Sequence, residues 1–161
     1  MNELKINIRK ATIKDFSIID DFQVKMGAFE KELSPTLRKL YRKGEARSRT
    51  AKEIKDYLQS AEALVLIAEV NGKPVGCGLA EVKKVYGAWS KFKYAGKMGL
   101  LFVEKKYRNK GVAEKIFKTR VRWLKSKKVA FITIKVLAEN KKVLSWYHKR
   151  GFEDYMIEMK L

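Results

Sequence analysis

Residues 4–9, LKINIR, alternate apolar and polar side chains, the period-two signature of a half-buried strand. Thr12 is a capping residue type, so a helix is expected from about Ile13 to Lys25, with Asp15 where the first turn favours a carboxylate. Residues 27–49 show no clear period and hold Gly27, Pro35 and Gly44; a helix from about Ala51 to Gln59 follows. ALVLIAEV (63–70) then predicts a strand. The Asn71–Gly72 turn in NGKP joins it to VGCGLAEVKKV (75–85), so the two form an antiparallel hairpin.

A third strand, about Lys97 to Val103, follows the aromatic loop YGAWSKFKY (86–94). Ala113, Phe117, Val121 and Leu124 recur at spacings of four, four and three, which predicts a helix from Val112 to about Ser126. FITIKVL (131–137) reads as the next strand, making a right-handed parallel strand-helix-strand crossover. A last helix, Lys141 to Lys149, stops at Gly151, which suits a left-handed helix end, and YMIEMKL (155–161) reads as a closing strand. The expected fold is one domain spanning 1–161, of the α/β or α+β class: a mixed, mostly antiparallel sheet with one parallel crossover, flanked by helices.

Composition narrows the class. A 161-residue chain that is 46% hydrophobic can build one real core. Cys77 is the only cysteine, so no internal disulfide forms, and the longest apolar run, ALVLIA, suits a strand and not a membrane span. No charged-then-apolar leader is apparent, and the expectation is a soluble, cytoplasmic protein without a metal site. The formal charge is +19, of which residues 61–161 carry +14 with 23 basic and 9 acidic residues. Such a field favours anionic partners and disfavours polycations.

The predicted helix at Val112 starts with the wrong charge. A helix N-terminus favours acidic side chains, yet Arg108 and Lys110 flank this one. An anion resolves the mismatch. Gly111 lets a ligand approach the backbone, the N–H groups of Val112 and Ala113 point at it, and Arg108 and Lys110 add full charges, making a pyrophosphate-sized site. The same glycine also suits plain strand-to-helix packing. Other phosphate motifs fit badly: there is no Gly-x-x-x-x-Gly-Lys-Ser/Thr, and Gly76 with Gly78 lies inside a hairpin without a following helix.

RNKGVA (108–113) resembles the Arg/Gln-x-x-Gly-x-Gly/Ala signature of the GNAT superfamily of acetyl-CoA-dependent N-acetyltransferases. LLFVEKKYRNKGVAEKIF is similar to its strand-loop-helix setting. NKKVLSWYHKRGF (140–152) resembles the family's Asn-x-x-Ala-x-x-x-Tyr-x-x-x-Gly-Phe, with Val143 for the common alanine. The likeness covers about 62–155 well and 4–60 only in element order. Lys105 stands where the family usually has proline, and the tail after Phe152 is short.

The resemblance implies direct attack of an amine on the thioester of acetyl-CoA in a ternary complex. It implies that the backbone of Leu101, Phe102 and Val103 pairs with the pantetheine amides, the N–H of Leu101 or Val103 polarising the thioester carbonyl. This strand is then expected to diverge from FITIKVL. Arg108, Asn109, Lys110, Gly111, Val112 and Ala113 clasp the pyrophosphate, Asn140 caps its helix and touches the cofactor, and Tyr147 is the general acid for the thiolate. By spacing alone, Tyr147 with Val143 and Leu144 reads as a core position.

No general base is evident, since the position where some members carry a glutamate matches Lys135. Of Glu69, Glu81 and Glu104, Glu81 ranks first, as a strand carboxylate that relays a proton through water; each also reads as a solvated or paired group. His148 reads as a surface residue and Cys77 as core. The resemblance puts substrate choice in residues 27–49, with Phe29, Glu30, Glu32 and Tyr41, and about 84–96, with Tyr86, Trp89, Phe92 and Tyr94.

The leading expectation is transfer to a primary amine, on a protein or a small molecule, by a monomer or homodimer. A basic module for RNA or ribosomes is the alternative, since Lys115, Lys118, Arg122 and Lys125 make a basic helix face. A catalytically silent acetyl-CoA-binding member is a third reading.

Overall fold

The computed structural model describes residues 4–40, 49–85 and 90–159. Tyr41, Gly44, Tyr86, Trp89 and the last two residues of the expected closing strand lie outside them. Five strands form one sheet in chain order: β1 (Ile6–Lys10), β2 (Ala63–Val70), β3 (Lys73–Lys84), β4 (Tyr94–Val103) and β5 (Ile132–Ile134). The first three pairings are antiparallel and β4 to β5 is parallel, the mixed sheet expected from the sequence.

The helices are α1 (Phe16–Leu33), α2 (Pro35–Leu40), α3 (Ala51–Gln59), α4 (Val112–Ser126) and α5 (Lys141–His148). The bounds of α3 and α4 match those expected, because both ends carry local signals. Thr50 and Glu53 form a capping box on α3, and Gly111 opens α4 at φ +82°. Asn71 and Gly72 both have positive φ, as a two-residue hairpin turn requires. Gly151 (φ +84°) ends α5, where the N–H of Phe152 reaches the carbonyl of Tyr147 at 3.3 Å.

Five expectations are corrected. A single 3-10 turn, Ile13–Asp15, precedes α1, which runs to Leu33 and not to Lys25, through Gly27, which is buried in it. The segment without visible period is helical to Leu40, with Pro35 opening α2, where its missing N–H costs nothing. β4 begins at Tyr94, and β5 shrinks from seven residues to three. Residues 155–159 form no strand: Tyr155, Met156, Ile157 and Met159 are 69–88% exposed.

The core has a layer on each face of the sheet. Ile19, Phe22, Ile54 and Leu58 of α1 and α3 cover Val65, Ile67, Cys77, Leu79, Leu100 and Phe102. On the other face Val112, Ile116, Phe117 and Leu124 of α4, with Tyr147 of α5, cover Leu66, Val75, Ala80, Met98 and Val103. Period-two alternation along β3 thus sends Cys77, Leu79 and Glu81 to one face and Gly78 and Ala80 to the other.

Candidate active site

β4 departs from both neighbours in its middle. On the β3 side, Gly78 opposes Leu101 and Ala80 opposes Met98, so Gly99 and Leu100 together face Leu79, a bulge. On the other side, pairing with β5 stops after Met98↔Ile134. The backbone from Gly99 to Val103 therefore has no β5 partner, the divergence expected from the sequence. The Gly99 and Leu100 carbonyls accept from Arg120 and the Val103 carbonyl from Arg108, and the rest of this edge can meet an extended amide-bearing ligand.

β4 leads through a 3-10 turn, Lys105–Tyr107, into α4. Asn109 (φ +60°) and Gly111 (φ +82°) are both left-handed, folding RNKG into a hollow over the first N–H groups of α4. A Cβ at Gly111 would meet only Ile6 Cδ1, at 4.0 Å, so glycine here serves backbone conformation and the open approach rather than tight packing. Arg108, Asn109 and Lys110 are exposed; Val112 is buried and Ala113 half-buried. The Arg108 Nε donates to the Val103 carbonyl at 2.9 Å, and its guanidinium lies 5.6 Å from the Phe29 ring and 5.9 Å from the Phe102 ring. α1 thus meets the cradle, and Lys25 pairs with Glu104 at 2.6 Å on the same side.

The second sequence block, residues 140–152, lands on the α4 face. Asn140 caps α5, its Oδ1 accepting from the Val143 N–H at 3.3 Å. Tyr147 is 3% exposed, ringed by Trp146, Phe152 and Phe117 at 4.9, 5.4 and 6.2 Å between centroids. Burial pushes its phenol pKa up, and the positive charge of Arg120 beside it pulls the other way.

Arg120 was not expected. It falls on the inner face of α4 and is fully buried. Its Nη1 donates to the carbonyls of Leu79, Leu100 and Gly99, at 3.2, 3.3 and 3.5 Å, all at the bulge. Nε and Nη2 are buried without a hydrogen-bond partner. The signal was available: Arg120 lies four residues after Ile116 and four before Leu124, on their stripe, where a charge is rare.

The candidate carboxylates separate. Glu69 binds Arg9 at 2.7 Å, and Glu104 is held by Lys25. Glu81 is 5% exposed, with Lys83 at 3.0 Å and Lys97 at 3.8 Å, on the α1 and α3 face, across the sheet from Tyr147. Glu30, half-buried on α1, has its pKa raised by burial and opposed by Arg49. Lys135 is exposed beside Glu158 at 3.9 Å, His148 is exposed and pairs with Asp154 at 2.8 Å, and Cys77 is buried, its thiol pushed up by burial. An open cleft of about 400 Å³, lined by Lys125, Val129, Phe131 and Phe152, lies at the far end of α4 from the cradle. Among the described residues no group of three metal-ligating side chains occurs, and no helix is long and apolar enough to cross a membrane.

Known proteins of the same shape are plentiful. The chain superposes on a mutant of the BH1408 protein from Bacillus halodurans with a TM-score of 0.83 at 16% identity, covering 96% of this chain and 98% of that one. It superposes on the aminoglycoside N-acetyltransferase AAC(6')-Iy in complex with CoA with a TM-score of 0.69 at 17% identity, covering 96% and 97%. The aminoglycoside acetyltransferase meta-AAC0020 from an uncultured soil metagenomic sample gives 0.70 at 14% identity, covering 97% and 95%. No curated protein matches the sequence. The acetyltransferase (GNAT) family profile matches residues 28–152, from α1 through the Gly151–Phe152 stop. The chain belongs to the acetyltransferase (GNAT) family.

Proposed function

We propose that this acetyltransferase moves the acetyl group of acetyl-CoA to a primary amine, on a protein or a small molecule, by direct attack in a ternary complex. The observation that carries this reading is the Gly99–Val103 backbone, without a β5 partner, running straight into a glycine-opened, basic helix start. Arg108 to Ala113 fit a pyrophosphate, and Leu101, Phe102 and Val103 fit the amides of a pantetheine arm. The thioester supplies the activated acetyl carbon. The Leu101 or Val103 N–H polarises its carbonyl, and Tyr147 gives the departing sulfur a proton. Asn140 fixes the start of the helix that carries Tyr147.

Glu81 stands on the opposite face from Tyr147, which suits acid and base meeting sulfur and amine from two sides of the opened sheet. Glu81 then accepts the amine proton through water. Two fold neighbours are aminoglycoside acetyltransferases; here the +19 charge works against polycationic acceptors and favours simpler amines or protein amines.

The test is a screen of peptide N-termini, lysine peptides and small amines, read by release of CoA thiol, beside calorimetry with acetyl-CoA. Binding with turnover of at least one acceptor is expected. Binding with no turnover across the screen favours the silent member; no binding removes the proposal. The RNA reading rests on Lys115, Lys118, Arg122 and Lys125 all being exposed on α4, and salt-dependent RNA binding without turnover would favour it.

A further inference from the structure

An arginine inside a core is costly unless something uses it. Arg120 is 0% exposed, and burial lowers its pKa, though a guanidinium keeps its proton at any ordinary pH. One nitrogen, Nη1, suffices for the three bulge carbonyls. Nε and Nη2 remain buried and unpartnered, a penalty that a purely structural donor would avoid.

The space for this side chain is also made deliberately by the sequence. A Cβ at Gly78 would sit 3.3 Å from Arg120 Cδ and 3.4 Å from Nε, and 2.4 Å from Ile116 Cγ2. The charge faces Tyr147, whose other surroundings are the rings of Phe117, Trp146 and Phe152. Two further groups reach this neighbourhood. Arg150, at the end of α5, also acts on the phenol, but Glu114 and the Trp146 face, 3.6 Å away, already hold it. Cys77 of β3 lies near Arg120, its thiol kept neutral by burial.

We propose that Arg120 is a positioning residue for acetyl transfer: fixed under the β4 bulge, its guanidinium stands beside Tyr147, the proton donor to the departing sulfur, and balances the negative charge when that proton leaves. The inference rests on the acetyl-transfer reading. In the step, the amine lone pair forms the C–N bond, the C–S bond breaks with its electron pair on sulfur, and the Tyr147 O–H proton passes to that sulfur. The ammonium the attack creates gives its proton through water to Glu81, and the phenolate regains one from solvent. Arg120 exchanges no proton. A cation locked to the bulge by three carbonyls keeps one position relative to both strand and phenol, so no solvent reorganisation is needed as charge moves.

The test uses CoA itself as the probe, without an acceptor. The thiol of CoA bound to the protein is titrated by the ultraviolet absorbance of its thiolate and compared with free CoA. In the wild type the bound thiol should titrate about one pH unit lower, a tenfold stabilisation of the thiolate. Arg120→Met should return it to the free value, Arg120→Lys should keep most of the shift, and Tyr147→Phe should lose it, because the charge acts through the phenol. A wild-type thiol that titrates as free CoA does would overturn the proposal, whether or not Arg120→Met folds. So would an Arg120→Met protein with native melting and CoA affinity and an unmoved thiol. If the wild type binds no CoA at all, the acetyl-transfer reading itself fails, and this inference with it.

Discussion

At the residue scale the proposed site divides into a charge-reading end and a proton-moving end, and each is testable alone. Gly111 gains its importance from φ +82° and an open front, so Gly111→Asp combined with Arg108→Ala adds strain, bulk and the wrong charge at once. Calorimetry should show acetyl-CoA affinity falling at least a hundredfold; unchanged affinity would move the cofactor elsewhere. Tyr147→Phe keeps the buried ring and loses only the donor. Turnover should fall on the order of a hundredfold with cofactor affinity nearly intact, measured where chemistry limits the rate. Away from the site, Asp15 accepts from Arg9 and from the Thr12 N–H, and the Arg9 hydrogen bonds hold its carboxyl at about 2. A carboxyl depressed on folding stabilises the protein above its unfolded value, about 4, and that contribution, roughly 2 kcal/mol, disappears as pH falls from there toward 2. Asp15→Asn should lower the melting temperature at pH 7 and flatten its dependence between pH 4 and 2.

At the scale of elements, the sheet is shaped by where its strands stop agreeing. The bulge at Gly99–Leu100 and the three-residue length of β5 together free the β4 backbone. Glycine on β3 lets α4 lie close enough for Arg120 to reach that bulge. Gly78→Ala puts a methyl 2.4 Å from Ile116 Cγ2, a branched and fully buried side chain that cannot yield cheaply. We expect a loss of about 1–3 kcal/mol in denaturant unfolding, with turnover falling beyond what stability explains because Arg120 shifts. Equal stability would mean that α4 is free to slide. The tail shows the converse: YMIEM has strand-like residues, but β5 offers only three paired positions, and a strand without an edge to join stays extended and exposed.

At the scale of the whole molecule, the +19 charge is a field and not a contact. It should speed the encounter with a polyanionic donor and be screened over about 8 Å at physiological salt. Acetyl-CoA affinity should therefore fall steadily as salt rises. Replacing Lys115, Lys118, Arg122 and Lys125 by glutamine should weaken this dependence only slightly if the cradle does the binding, and strongly reduce any RNA binding. A cradle affinity insensitive to salt would show that backbone groups, not charge, hold the pyrophosphate.

The sequence by itself determined the order of β1 to β5, the bounds of α3 and α4, the hairpin turn, the Gly151 stop and the glycine that opens α4, because each depends on residues within a few positions of one another. The Gly111 and Tyr147 blocks also identified the family, since their spacing reports a fold that both must fit. The extension of α1 through an aperiodic stretch was decided by tertiary structure: Ile19, Phe22, Gln23 and Gly27 are buried against partners absent from local pattern. So were the truncation of β5 and the idle tail, which depend on whether another strand lies alongside. Arg120 is the sharpest case. Its place between Ile116 and Leu124 is a local hint of burial, but its letter reads as one more charge in a basic helix. Only the packing of α4 over Gly78, which brings it to three carbonyls and a phenol from distant strands and helices, makes it a core residue, because desolvation and hydrogen bonding are properties of the assembled surroundings and not of the chain segment.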